Sequence, residues 1–389
     1  MTDATPLGQA LKFQSEHASL MDVLPTVASA WGVHSPGEAQ DSRAGRAVLA
    51  DYLSLRPRQQ VLVVLIDGMG YDLVLEHLAY ARFLRSRRFD ILQGATIIPS
   101  TTAAAITAFG TGRPPGQTRM VGWSVKDQGR ITTLLSFEGA SEAPEVWQPQ
   151  STWFEILRAE GVDSAAVSTG KFANSGLTRA ALRGTRHVGA ESLDERISAA
   201  MAELAQGTPV VYLYWSELDH AGHGAGSGSQ EWIHEFEVVD AGLERIAREL
   251  PAGVAGIVTA DHGMICTSAD TRIDVANTPE LKEGLDTIAG EGRNVHIHVQ
   301  PGHDADAVLD RWEAFLGDRA TIVRGGEVAN VLGGEDGARL VGDAMALMHG
   351  NWVVVDSRTQ PEGMIRLKGV HGSISRAELA IPFLRLHLS

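Results

Sequence analysis

Apolar runs of four to eight residues alternate along this chain with longer stretches of helical spacing. "VLVVLI" at 61–66 is apolar at every position and mostly β-branched or leucine. That is the pattern of a central parallel strand covered on both faces. "DLVLEHLAYARFLRS" (72–86) continues with helical spacing, and "FDILQGATI" (89–97) reads as a second strand. "STTAAAITAFGTG" (100–112) predicts a helix stopped by glycine, and "HASLMDVLPTVASAWGV" (17–33) a helix kinked at its proline. Residues 113–150 are dense in turn signals around strand-like "ITTLLSF", which predicts a hairpin excursion.

The alternation then resumes. "WFEILRAEG" (helix), "SAAVST" (strand), "SLDERISAAMAELAQG" (serine-capped helix), "PVVYLYWS" (strand), "WIHEFEVVDAGLERIAREL" (amphipathic helix) and "VAGIVTADHGM" (strand into turn) follow in order. This predicts an α/β fold with a mainly parallel central sheet and helices on both faces. Between 272 and 350 the rhythm breaks, and "RNVHIHVQPG", "DADAVLDRWEAFLG" and "ATIVRG" predict a small α+β insertion. "WVVVDS" and "IPFLRLHL" are expected to rejoin the main sheet. The expected division is a metal-binding catalytic core, 1–271 with 351–389, and a cap-like insertion, 272–350.

Composition narrows the class. With 48 acidic against 33 basic residues the net charge is −15, and only five of the basic residues are lysine. This argues against general nucleic-acid binding, which rests on neutralising phosphates, and against attraction to an anionic membrane. It leaves room for a small anionic substrate, because a bound metal reverses the local field. The single cysteine, Cys266, allows no intrachain disulfide and no multi-cysteine metal site. "MTDATPLGQALKFQ" has no apolar signal core, and no run approaches a membrane span. The expectation is a cytoplasmic protein without a membrane partner, with a homo-oligomer left open.

Ligands of open α/β sheets bind beyond the carboxyl ends of the strands. Here those ends carry Asp67, then "PSTT" at 99–102, then Asp219, His220 and His223, then Asp261-His262-Gly263, and finally His371 before Gly372. Each alone is weak. Asp67-Gly68 is a common turn, "STT" is a common helix cap, and the glycines around Asp219 and His223 favour a loop over a helix. Together they place imidazoles, carboxylates and hydroxyls on one rim, the ligand types that suit zinc or manganese. Two metals about 3.5 to 4 Å apart can clamp the attacking and leaving oxygens of a phosphoryl displacement. A hydroxyl beside them, Thr101 or Thr102, could serve as the nucleophile.

In this order, Asp67-Gly68, Pro99-Ser100-Thr101-Thr102, Asp219-His220-Ala221-Gly222-His223, Asp261-His262-Gly263-Met264 and His371-Gly372 resemble the motifs of the alkaline phosphatase superfamily. The nearest likeness is its nucleotide pyrophosphatase/phosphodiesterase branch, and "TAFGTGRPPGQTRMVGW" (107–123) adds to it. The resemblance implies a metal-dependent hydrolase of small phosphoesters, with two divalent ions, zinc or alternatively manganese. Asp67, Thr102, Asp261 and His262 would bind one ion, and Asp219, His223 and His371 the other. Thr102 would be the nucleophile, attacking in line to form a phosphothreonine that water then cleaves, with retention at phosphorus; Thr101 is the second candidate. Charges nearly balance, since three aspartates and a threonine alkoxide offset two divalent cations.

Two positions depart from that pattern. Where many relatives carry an aromatic and an asparagine after the nucleophile, this chain has Ala103 and Ala105. Another donor must then meet the phosphoryl oxygen, and nucleotide preference loses one support; Trp123, Trp215 and Trp232 are candidate stacking surfaces. Phosphomonoesterase or phosphonate hydrolase chemistry is the alternative on the same scaffold, with Arg113 a candidate cation for a monoester. A sulfatase is disfavoured because Cys266 is not placed as its nucleophile. His296 and His298 ("HIH") resemble an amidohydrolase pair, but without the regular barrel alternation.

Overall fold

The computed structural model describes residues 5–35 and 44–386. Residues 1–4, 36–43 and 387–389, within the expected core, lie outside the described residues, as do the start of the N-terminal stretch and the end of "IPFLRLHL". The main sheet contains, in chain order, β1 (Ala18–Ser19), β2 (Val61–Ile66), β3 (Leu92–Ala95), β4 (Ser164–Ser168), β5 (Arg186–Gly189), β6 (Val210–Trp215), β7 (Ala255–Thr259) and β8 (Ala380–Leu386). In space they run β1-β3-β8-β7-β2-β6-β4-β5. All neighbours pair in parallel except β8, which is antiparallel to both β3 and β7. All six residues of β2 are buried, so both faces of the sheet centre are covered. The helices Val23–Ala30, Thr102–Thr111 and Trp153–Ala159 pack on one another, and Leu193–Ala205 and Glu217–Ala225 both pack on Gln230–Glu249.

Where local pattern and structure differ, a tertiary contact decides. The expected helix at 72–86 is two helices, Tyr71–Glu76 and Arg82–Ser86. The second starts where Asp240, from the long helix, accepts the N–H groups of Phe83 and Leu84 at 2.9 and 2.8 Å. That distant carboxylate acts as the missing cap. The expected kinked helix at 17–33 instead begins with β1 and a single 3-10 turn capped by Ser19. The helix Val23–Ala30 follows, with Pro25 in its first turn, where a missing N–H costs nothing.

Between Leu285 and Met348 lies a separate antiparallel sheet, in the order Leu285–Glu291, Asn294–Val299, Ala344–Met348, Ala320–Arg324. The helix Ala305–Leu316 closes one of its faces through Trp312 and Leu309. Its other face packs Met345, Leu347 and Val323 against Met120, Val121, Val125 and Trp147, from the segment that also contains the hairpin Ser124–Asp127/Arg130–Thr133. One expectation fails here. Val353–Val355 does not rejoin the main sheet; it pairs in parallel with Arg272–Asp274 as a two-stranded ribbon. Three valines suit any covered strand, and only the partner's position tells which sheet receives them.

Candidate functional site

Parallel strands deliver their last residues to one rim, and five segments converge there. Asp67 follows β2 directly and is buried. Gly68 turns the chain with φ +71°, and a side chain there would meet Asp219. Asp261 and His262 follow β7 and are fully buried. His371 lies just past the short strand Gly369–Val370, which pairs with Ile265–Cys266 after the Asp261 turn.

Asp219 and His223 correct the loop expectation. They lie on a helix, Glu217–Ala225, one turn apart on one face, with Oδ2 of Asp219 3.0 Å from Nε2 of His223. Helix geometry survives the glycines because Gly222 packs against Met264 and Trp232 with no room for a side chain.

Thr102 is the first residue of the helix Thr102–Thr111, which ends at Gly112 in the left-handed region. The expected cap does not form. Thr101 makes no side-chain cap to the helix, and the Ser100 hydroxyl donates to the Ser373 carbonyl. The first-turn N–H groups therefore stay available to an anion. Both Thr101 and Thr102 line the cavity, Thr101 buried and Thr102 partly exposed. The Thr102 hydroxyl lies 3.1 Å from Nε2 of His262.

The three imidazoles are oriented alike. Nδ1 of His223, His262 and His371 lies 2.8, 2.9 and 2.9 Å from the carbonyls of Gly369, Gly263 and Ser100. A carbonyl only accepts, so each Nδ1 donates and each Nε2 is turned toward the site. His262 and His371 stack with centroids 3.6 Å apart. Nε2 of His262 is 3.4 Å from both Asp67 Oδ1 and Asp261 Oδ2, and Nε2 of His371 is 3.8 Å from Asp219 Oδ1.

Those three carboxylate oxygens, Asp67 Oδ1, Asp219 Oδ1 and Asp261 Oδ2, are buried without hydrogen-bond partners. The opposite oxygens are satisfied: Tyr214 donates to Asp67 Oδ2, and the N–H groups of Gly68 and His262 donate to Asp261 Oδ1. Burial, then the charges of Asp261 and Asp219, pushes Asp67 well up; burial above all raises Asp261. Burial also opposes ionisation of Asp219, but His223, with His371 and His262, outweighs it and holds the carboxyl well down. Asp219 in turn lifts His223 to about 9 against its burial. His371 is driven well down by burial and by its neighbour His262.

Three unpartnered aspartate oxygens and the Nε2 atoms of the imidazoles beside them, withdrawn from water, are a donor set for divalent cations. Two groups have donor atoms mutually within 4.8 Å: Asp67, Asp261 and His262, and Asp219, His262 and His371. Nε2 of His262 thus sits where the two groups meet. Each group is a donor set that fits a divalent ion.

A cavity of about 540 Å³ opens over these groups. Of the three candidate tryptophans only Trp123 lines it, as does His220. Trp232 is fully buried, and Trp215 donates its ring N–H to Glu235. Arg113 and Cys266 are not among the lining residues, nor are His296 and His298, which are buried in the insertion sheet. Sequence reasoning missed Phe172, Tyr214, Lys171, Arg272 and Glu291 in the wall. Tyr214 had a signal, standing one residue before the end of β6; the others had none.

The profile of the family described as Type I phosphodiesterase / nucleotide pyrophosphatase matches residues 61–374. Similar solved structures include murine ectonucleotide pyrophosphatase / phosphodiesterase 5, at 19% identity over 85% of this chain and 89% of that one, with a TM-score of 0.64. Phosphonoacetate hydrolase from Sinorhizobium meliloti 1021, in complex with phosphonoformate, matches at 17% identity over 85% and 91%, with a TM-score of 0.66. A curated relative, GPI ethanolamine phosphate transferase 1 of Aspergillus fumigatus, is 33% identical over 120 residues, 28% of this chain and 11% of that protein's length. Among the described residues no helix is long and apolar enough to cross a membrane.

Proposed function

Because this chain belongs to the type I phosphodiesterase / nucleotide pyrophosphatase family of the alkaline phosphatase superfamily, a family of phosphoric ester hydrolases, we propose that it hydrolyses small phosphodiesters with Thr102 as nucleophile. The observation that carries this is the Thr102 hydroxyl 3.1 Å from Nε2 of His262, itself 3.4 Å from unpartnered oxygens of Asp67 and Asp261. Asp67, Thr102, Asp261 and His262 would hold one divalent ion, and Asp219, His223 and His371 a second, zinc or manganese. Bound there, the ions supply Lewis-acid stabilisation of the phosphoryl oxygens and lower the pKa of Thr102.

The residues of the chain do the rest. The Thr102 oxygen attacks phosphorus in line, and the bond to the leaving alcohol breaks opposite it. The first-turn N–H groups of the Thr102 helix receive a non-bridging oxygen. Tyr214 and the Gly68 N–H hold Asp67 and Asp261 in place. Water then attacks the phosphothreonine from the vacated side, so configuration at phosphorus is retained. An inactive threonine-to-alanine variant of the murine neighbour has been solved with AMP, which supports a threonine nucleophile and a nucleotide-sized ligand.

A second reading has its own observation. Lys171 and Arg272 line the cavity and could offset the extra charge of a phosphomonoester or phosphonate, such as the ligand of the S. meliloti neighbour. The test is a diester and a monoester of the same leaving group, assayed with zinc and with manganese. Faster turnover of the diester supports the main reading, and faster turnover of the monoester replaces it.

A further inference from the structure

The start of the helix Glu217–Ala225 is held from outside. Ser216 stands at its N-cap position and makes no side-chain cap. Instead the Glu217 carboxylate folds back, and its Oε2 accepts the Ser216 N–H at 2.9 Å. Arg196 grips that carboxylate in turn, reaching Oε1 at 3.2 Å and Oε2 at 3.4 Å. The far half of the helix has other supports. Its His223 ring donates to the Gly369 carbonyl, the His223 carbonyl accepts the Lys368 N–H at 3.0 Å, and Gly222 packs on Met264. Its first turn, where Asp219 stands, has the packing of Leu218 and the Arg196–Glu217 pair.

Arg196 is a firm base. It is fully buried and belongs to the helix Leu193–Ala205, whose start is closed by a capping box of Ser192 and Glu195. Its Nε donates to the Ala190 carbonyl at 2.9 Å, and its terminal nitrogens donate to the carbonyls of Glu191 and Tyr214 at 2.9 and 3.0 Å. With the two Glu217 oxygens added, every N–H of the guanidinium has an acceptor. Its flat face lies over the Trp215 ring, 4.4 Å from the centroid. The loop that supplies the carbonyls of Ala190 and Glu191 is fixed as well, since the Glu191 carboxylate accepts the Thr169 hydroxyl and the Gly170 N–H.

A buried ion pair adds little net stability, because desolvation offsets attraction. A fully satisfied planar fork does fix geometry. Here that geometry bears on Asp219, two residues after Glu217, whose Oδ1 is buried without a partner and whose Oδ2 lies 3.0 Å from His223. We propose that Arg196 is a positioning residue which, through Glu217, sets the first turn of this helix and so places Asp219 and His223 to hold the second ion. The inference rests on the two-ion reading of the site. Arg196 itself is not among the residues lining the cavity, whereas Glu217 is.

Two variants break the link at either end. Glu217→Ala removes the carboxylate and leaves Arg196 its carbonyl acceptors; Arg196→Lys keeps the charge and loses the fork. Full-length holoprotein, exchanged with Co2+, is titrated with a chelator while bound cobalt and its visible absorption, which reports ligand geometry, are followed. Wild type is expected to start with two equivalents. Both variants are expected to release one of them at about 10-fold lower chelator than wild type and the other as wild type does, with an altered absorption band. In Arg196→Lys, kcat on bis(p-nitrophenyl) phosphate is expected to fall about 10-fold at limiting metal and to recover in excess metal, with KM within about threefold. A pair that serves only the fold would lower the urea midpoint and leave both cobalt equivalents and their spectrum unchanged, and that result overturns the proposal. Equal weakening of both equivalents overturns it too, since the helix would then not be the part affected. Fewer than two equivalents in wild type sinks the two-ion reading itself; two equivalents held unchanged by both variants sinks only the role of Arg196.

Discussion

At the rim of the main sheet, His223, His262 and His371 each commit Nδ1 to a carbonyl and turn Nε2 toward an aspartate of the site. In the insertion, His296 and His298 sit mid-strand and buried. Burial drives His296 down to about 3 and His298 to about 4. Both sets are desolvated imidazoles. What separates them is where the backbone leaves the sheet. A residue past a parallel strand's end is released from the ladder and can turn toward residues from other strand ends, whereas a mid-strand residue is committed to its own sheet.

The largest break in that contrast comes at the rim. Thr102→Ala should keep the circular dichroism of the wild type yet lose on the order of 1,000-fold or more in kcat on a phosphodiester. Near wild-type turnover would remove Thr102 from the chemistry. His371→Ala should next lower bound metal from two ions toward one, with activity falling at least about 100-fold. Chelation of the wild type should abolish turnover and lower Tm, because ligands that bind only the folded state stabilise it. His296→Gln serves as the internal contrast, leaving metal stoichiometry unchanged.

At the junction of the two regions, the fully buried Arg293, in the turn after Leu285–Glu291, donates to both oxygens of Glu378. Arg293→Ala should leave Glu378 buried and unpaired, at a cost of about 3–5 kcal/mol. Urea denaturation reads that loss directly, and a change under about 1 kcal/mol would mean that the turn is not held by this pair. The smallest effect concerns acid. The folded pKa of His296, about 3, lies below its ordinary 6.5. Its contribution is therefore present above pH 6.5 and is lost as pH falls toward 3, roughly 2 kcal/mol at pH 5. His296→Gln should flatten the stability–pH slope between 6.5 and 4, whatever its effect at pH 7. An unchanged slope would assign the acid sensitivity to other groups.

Much of this contrast was legible in the residues. "VLVVLI" ending on Asp67 and "VAGIVTA" ending on Asp261 and His262 announce both a buried strand and the position of its last side chain. A period of two with no polar break says that both faces are covered. The helix carrying Asp219 and His223 was not legible, because its Gly222 is explained only by the packing of Met264 and Trp232. The start of Arg82–Ser86 was hidden for a similar reason, its cap being Asp240 in a distant helix. Glu291 had no local mark at all.

The sequence by itself determined the parallel α/β core and which residue types stand beyond its strand ends, since periodicity and strand termini are local properties of the chain. Tertiary structure alone decided which lone pairs remain unshared, which hydroxyl of "STT" meets His262, and that a turn of the insertion lies beside the cavity. Those outcomes depend on distances between segments far apart in the chain, and hydrogen-bond satisfaction is settled only when they meet.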